Sequence, residues 1–424
     1  MTSQRPRSSL FGLIVVLCAV GSGFAADEPA ATALTLRDCY RLALRQSETI
    51  AIQRERLKET EGRFLQALSG ALPRASFELS EKRQDGTGGS AFTLKEIPER
   101  KFILTQPLFS GFKEFAAMGA SRAEHRQRGY EQARAEQLLL VDVSDAFHLL
   151  LERREERGAL ETTRTALAER IDELKARERL GRSRPSEVAS ASAQLRRVEA
   201  NLERVRGEET TTRQLLEFLT GRAPIGAVSD EEPDVPPVAS EDEYVGRVNA
   251  RPDVRAVEEA WRASQNQVTI AWAKVFPTVN LESNYYTKRV GASSGVDWDV
   301  LLKVDAPLFQ GGQAMGAVRE SAAKAREAKL EFDRTKREAT LDIRDTYAKW
   351  QAALAQHEAF NKALQAAEDN YRLQVEDYRH NLVNNLDVLQ ALQALEDARR
   401  DAIAARYAAK QRYWQLRAAT GDTS

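Results

Sequence analysis

Four histidines, His125, His148, His357 and His380, are the side chains best suited to bind a metal or move a proton near neutral pH. None stands within five residues of another, so the paired-histidine spacing of a metal site is missing. The sequence has no phosphate-cradling glycine loop, and no nucleophile elbow that puts a serine on a strand-to-helix turn. Gly311–Gly312 marks a change of backbone direction, and the lysines and arginines spread along helical stretches read as solvated faces. Cys39 is the one cysteine beyond residue 25, which leaves no internal disulfide there. Asp387 stands where a helix opens, and a carboxylate suits the positive end of a helix dipole. The reading is of a protein that is not an enzyme and needs neither cofactor nor metal.

The elements that would position such residues come next. Charged residues make up 29% of the 424, and glycine and proline are few, which favours long exposed helices over a compact globule. Arg5 and Arg7, an apolar run from Leu10 to Val20, and a small-residue site after Ala25 predict a signal peptide over residues 1–25. Its removal changes the formal charge from −1 to −1 − 2 = −3, a near-balance that argues against a nucleic-acid partner. Cys18 follows Leu17, not the small residue that lipid attachment requires. No later stretch is long and apolar enough for a spanning helix, so an exported chain of this kind enters a membrane only as a closed β-barrel.

The chain repeats itself. Gln106–Pro107–Leu108–Phe109–Ser110–Gly111 recurs as Ala306–Pro307–Leu308–Phe309–Gln310–Gly311, and 307 − 107 = 200. In each copy an alternating run stops at the proline, which lacks a donor, and a long helix starts past the glycine. Pro73 and Pro277 precede the strands at an offset of 277 − 73 = 204, so the first copy is four residues longer, in the strand-connecting loop. Thr35 with Asp38 and Ser240 with Glu243 look like capping boxes, the first opening a helix to about Ser69. Leu160, Leu167 and Leu174 recur every seven residues, the mark of a coiled coil. Gly181 and Asn381 suit left-handed helix caps, and Gly221 and Gly421 close the returning helices. The predicted organisation is a first repeat over 26–221 (strands 74–83 and 101–109, helical hairpin 112–220) and a linker over 222–239. A second repeat fills 240–421, with strands 278–287 and 297–309 and a hairpin over 312–420.

Four strands per chain cannot close a barrel, since membrane barrels start at eight. Copies of the chain must share one, with eight strands for a dimer and twelve for a trimer. Closure sends Glu78, Glu282, Asp299 and Lys303 toward a wet lumen and puts Phe102, Tyr285, Tyr286 and Trp298 in interfacial belts. A soluble β-patch joining two coiled coils is the alternative that the strand pattern leaves open.

The doubled Pro-Leu-Phe-x-Gly, the run Arg251–Pro252–Asp253–Val254, Pro277 before a strand, and Asn384–Asn385–Leu386–Asp387–Val388–Leu389 resemble the TolC-like outer membrane efflux proteins. The resemblance spans nearly all the chain after residue 25. It implies a mainly α fold with a transmembrane β-barrel, built from a duplicated helix–strand–strand–long helical hairpin unit. In such a homotrimer a 12-stranded barrel crosses the outer membrane lipid, and a coiled-coil α-barrel extends into the periplasm. The implied function is a passive exit duct of a tripartite efflux or type I secretion system, reached by an inner-membrane transporter through a periplasmic adaptor (membrane fusion) protein. The competing reading is a periplasmic coiled-coil scaffold or adaptor without a membrane span.

The same resemblance points to site residues. The adaptor-contacting tips correspond to Leu180, Gly181, Arg182, Ser183 and Arg184 on the first hairpin and Asn381, Leu382, Val383, Asn384 and Asn385 on the second. Gates of this family tie a tyrosine and an arginine on the second hairpin to an acid on the first. Tyr378 and Glu187, beside Ser186, fit two of those places, whereas Val383 stands at the arginine's, leaving Arg182 or Arg184 as substitutes. Of two aspartate rings at the constriction, Asp387 fits one and Gln390 replaces the other. Pro107, Gly111, Pro307 and Gly311 form the strand-to-helix joints.

Overall fold

The computed structural model describes residues 33–231 and 239–422, so the expected signal peptide and linker residues 232–238 lie outside the described residues. Helix α1 spans Leu36–Gln46 and opens on the Thr35–Asp38 capping box. One helix was expected as far as Ser69, but the chain breaks at Ser47, whose backbone is extended. The Ser47 side chain accepts from the Ile50 N–H and caps a second helix, α2 (Glu48–Ser69). Strands β1 (Arg74–Arg83) and β2 (Glu96–Ser110) follow, then α3 (Lys113–Arg179) and α4 (Pro185–Thr220). The second half contains α5 (Glu241–Gly246), a 3-10 turn, α6 (Pro252–Ala273), β3 (Thr278–Lys288), β4 (Trp298–Asp305), α7 (Gln313–Arg379) and α8 (Asn385–Thr420). Both α3 and α7 have 67 residues and both α4 and α8 have 36. At 1.5 Å per residue the longer pair runs about 100 Å.

The strands form one antiparallel sheet in the order β1-β2-β3-β4. Phe77, Phe102, Tyr285 and Trp298 are cross-strand partners in a single row. Leu79, Leu104, Leu281, Val300, Leu302 and Val304 share their face, because side chains alternate along a strand and partners in register share a side. Glu78, Lys101, Asn284, Asp299 and Lys303 line the other face. Tyr286, grouped with the aromatic belt on sequence, belongs to this polar face and donates to Asp299 Oδ2 at 2.9 Å. Its neighbour Tyr285 holds the apolar position, and the period of two sends Tyr286 the other way.

Two strand ends differ from expectation. β2 begins five residues earlier than the sequence pattern gave and continues through Pro107 to Ser110; a register shift between Pro107 and Phe109 absorbs the proline's missing donor. β4 stops at Asp305, four residues short of the expected end.

The long helices pack side by side as α4–α3–α8–α7, and next to the sheet α2 and α6 take the places of α4 and α8. The heptad leucines Leu160, Leu167 and Leu174 are buried against Val198, Leu202, Val388 and Leu392. Where α1 and the start of the linker join the bundle, Leu36, Cys39, Val143, Phe147, Leu150, Leu216, Ile225 and Tyr407 make a second core.

The Arg251–Pro252–Asp253 run has a clear structural task. A helix ends with carbonyls that lack partners. The buried Arg251 guanidinium donates to Ala419 O at 2.8 Å and to Asp342 Oδ2 at 2.8 Å, while Asp253 holds its other edge at 2.6 Å. Arg134 and Gln137 of α3 donate to Ala418 O and Gly421 O. Three side chains from α3 and the start of α6 thus close the end of α8.

His148 is fully buried in the α1 core, its Nδ1 lying 2.8 Å from Ser144 O, and burial pushes its pKa down from 6.5 to about 4. The unfolded chain therefore takes up a proton that the folded site refuses, and stability falls as pH drops from about 6.5 toward 4. The loss reaches about 3 kcal/mol at full effect. A His148→Gln variant should lose most of this acid-dependent drop in thermal midpoint; parallel pH profiles for the two proteins would refute the assignment.

Candidate functional site at the hairpin tips

Each pair of long helices turns through five residues. In the first tip Gly181 is left-handed at φ 69°, Gly181 N donates to Glu178 O at 2.8 Å and Arg182 N to Arg177 O at 2.8 Å. The second tip repeats the arrangement with Asn381 at φ 57°, Asn381 N on Tyr378 O at 3.0 Å and Leu382 N on Asp377 O at 2.9 Å. Asparagine tolerates this region where most side chains do not. Pro185 opens α4 at a position that needs no donor. Asn384 opens α8, its side chain accepting from Leu386 N at 2.7 Å and Asp387 N at 3.2 Å. Asp387 completes the box by accepting from Asn384 N at 3.0 Å. Leu180 and Leu382 project into solvent at the two turns, with Leu386 one turn higher. Arg182, Arg184, Ser186 and Gln390 are exposed, and Ser183 and Asp387 are half-buried.

The tie between hairpins differs from the one the sequence pointed to. Glu187 accepts from Ser183 Oγ at 2.7 Å, within its own turn. Tyr378, 6% exposed, lies under two arginines of α3, with Arg170 Cζ at 3.8 Å and Arg177 Cζ at 4.7 Å from the ring centre. Glu173 sits between these arginines, 2.7 Å from one and 2.9 Å from the other. Arg170 Nε also donates to the Asn385 side chain, 1% exposed, at 3.1 Å. Val383, at the position expected to hold an arginine, packs against the apolar core with Val388 and Leu389. The charge on the tyrosine therefore comes from neither Arg182 nor Arg184. The signal for Arg170 and Arg177 was in the heptad: each stands three residues after a core leucine, Leu167 and Leu174, and so beside the same seam.

At the other end of the long helices, Gly111 is left-handed, and a Cβ there would sit 2.9 Å from Ala273 O and from Phe276 Cβ. Only glycine fits. Gly311 and Gly312 are both left-handed with open space around them, so there the demand is conformational alone.

The helices thus carry a two-sided sheet at one end and coiled-coil hairpin tips at the other. A model of the outer membrane efflux protein family matches residues 248–422. The outer membrane efflux protein BepC of Brucella suis is 22% identical over 322 residues, 72% of this chain and 69% of BepC. A solved structure of CusC covers 92% of both chains with a TM-score of 0.81 and 17% identity. The outer membrane protein VceC of Vibrio cholerae covers 91% of this chain and 96% of its own, with a TM-score of 0.78 and 23% identity. At those identities the structural likeness is one of fold. The matched half is similar in sequence, and the described chain is similar in fold, to outer membrane efflux proteins.

Removing the charges over Tyr378 should loosen the second tip. An Arg170→Ala/Arg177→Ala variant loses a cation–π stack and a hydrogen bond, together about 1–3 kcal/mol. Amide hydrogen exchange over Asn381–Leu389 should then speed up roughly ten- to a hundredfold, while α1 exchanges as before. Unchanged exchange at the tip would rule out the tie.

Proposed function

We propose that three copies of this chain close one twelve-stranded barrel in the outer membrane and one α-barrel below it. This forms the passive exit duct of a tripartite efflux or type I secretion system. The observation that carries the reading is the sheet. Its apolar face, with Phe77, Leu79, Phe102, Leu104, Tyr285, Trp298, Val300, Leu302 and Val304, lies exposed, and β1 and β4 each leave one edge unpaired. Such a surface is unstable in water and suited to lipid. The helical layer has the same form, with α4 and α7 as its outer members. Both layers therefore run out at two sides of one subunit, and cyclic symmetry closes both at once. The equal helix lengths in the two halves fit a duplicated unit. A periplasmic scaffold has no use for the apolar sheet face.

At the tips, exposed Leu180 and Leu382 offer apolar contacts to a periplasmic adaptor, behind which an inner-membrane transporter supplies the cargo. Three subunits bring three copies of Asp387 to the narrow end, where a ring of carboxylates favours cations and repels anions. Gln390, one turn on, adds polarity without charge. The Tyr378–Arg170–Arg177 stack holds the second hairpin against the first and is the gate tie of this chain.

Extracted in detergent and weighed by light scattering, the protein should have the mass of three chains after subtraction of detergent. A monomer released by osmotic shock without detergent would instead support the scaffold reading. In planar bilayers Asp387→Asn should reduce cation preference. Asn384→Ala, which disturbs the same helix cap but keeps the carboxylate, should not. Equal selectivity in all three proteins would assign Asp387 to capping alone.

A further inference from the structure

A groove of about 470 Å³ lies between α2 and α3, a few turns from the sheet, with Phe64 and Leu65 as its apolar wall. Some of its polar side chains are already satisfied. Thr60 Oγ1 donates to Leu57 O at 2.6 Å and so accepts, at 2.8 Å, from His125 Nδ1, which fixes that ring in the wall. Arg126 pairs with Glu259 at 2.7 Å. Three groups are left over. The Arg122 guanidinium lies over the Phe64 ring, 5.3 Å from its centre, and has no carboxylate partner among the described residues. Glu61, on the α2 side, has no salt bridge among them either. Ser121, 7% exposed, keeps a buried Oγ without a hydrogen-bond partner. A buried hydroxyl is costly in that state, and an occupant of the groove would relieve it.

The open face of α3 continues the apolar side of the sheet. The register shift in β2 sets Phe109 opposite Val279, which shares its side of β3 with Leu281. Phe112 packs edge-on against Phe109, with ring centres 5.5 Å apart. Beyond it Phe115 and Arg122, both exposed, stand seven residues apart and so on one face of the helix. That face lies between the α2 contact, made by His125, and the α6 contact, where Gly119 meets Asn266. Arg122 is about 10 Å from Phe115 along the axis, and side chains of α3 lean back toward its N-terminus and the sheet.

We propose that this groove holds the headgroup of one membrane phospholipid that carries a primary ammonium, a phosphoethanolamine lipid. Arg122 offers its N–H fork to the phosphodiester, Ser121 Oγ donates to a phosphate oxygen, and Glu61 accepts from the ammonium. The glycerol end lies on Phe64 and Leu65, and the acyl chains run past Phe115 and Phe112 to the apolar face of the sheet. An uncompensated cation on one helix and an uncompensated anion on the other match a zwitterion. An acidic headgroup would leave Glu61 beside a second negative charge. The site rests on the membrane placement proposed above but lies within one chain, so it is independent of the number of copies.

The test uses full-length protein in detergent, with phosphatidylethanolamine, phosphatidylcholine and phosphatidylglycerol of identical acyl chains, and native mass spectrometry counts the lipid retained. Phosphatidylethanolamine should be retained about fivefold more than either of the others. Arg122→Gln should lower that retention about tenfold, and Arg122→Lys, which keeps the charge, about threefold or less. Glu61→Gln should abolish the preference over phosphatidylcholine. Unchanged helical circular dichroism shows that the variants are folded. Equal retention of the three lipids, preference for phosphatidylglycerol, or undiminished retention by Arg122→Gln each overturns the site. Displacement of the lipid by glycerophosphoethanolamine at equal concentration also overturns it, in favour of a soluble ligand. Light scattering on the same samples keeps the two proposals apart: a monomer that still selects phosphatidylethanolamine overturns the trimer alone. A trimer without selection overturns this site alone. Release by osmotic shock without detergent overturns the membrane placement and, with it, the site.

Discussion

A sheet of four strands has two faces and two edges, and in this chain only the polar face is suited to water. The row Phe77–Phe102–Tyr285–Trp298 and the leucines and valines beside it are exposed. The unpaired backbone groups of β1 and β4 would be intolerable in hydrocarbon. The closed wall proposed above, shared among copies, would meet both problems at once. In that proposal a shared wall would fix where the helices leave the membrane and how many stand in the ring below.

The strand-to-helix joints pass the constraint downward. Gly111 lets the chain turn where any Cβ would come within 3 Å of the α6 backbone, so α3 leaves β2 along a direction set by packing and not by a flexible loop. From there two 67-residue helices carry the geometry about 100 Å to the tips. Heptad burial keeps α3 and α4 in register along their shared length, and Arg251 fixes the returning end of α8 where the halves of the chain meet. At the tips position is held by directional contacts, namely the Asn384–Asp387 box and the arginines stacked on Tyr378. Contacts of that kind can be exchanged for others at small energetic difference.

Much of this was legible in the sequence because it is periodic or local. Seven-residue leucine spacing, two-residue alternation in Trp298–Asp305, and capping residues at Thr35 and Ser240 each act within a few positions. The break at Ser47 was missed because serine is tolerated inside helices, and only packing decides whether it caps. The course of β2 through Pro107 was missed for a related reason: proline rules out a donor, and a neighbouring strand can spare that donor by a bulge.

By itself the sequence determined the order of elements, the internal repeat, the absence of catalytic spacing and the positions of the two turns, since all of these depend on neighbours in the chain. Tertiary structure alone decided which charges meet. Arg170 and Arg177 are some 200 residues from Tyr378 in the chain yet lie on its ring, while Glu187, expected there, bonds within its own turn. The same holds for Arg251 at the end of α8, a partner 168 positions away. Long-range pairing is set by the way helices pack, and a pattern along one chain has no term for it.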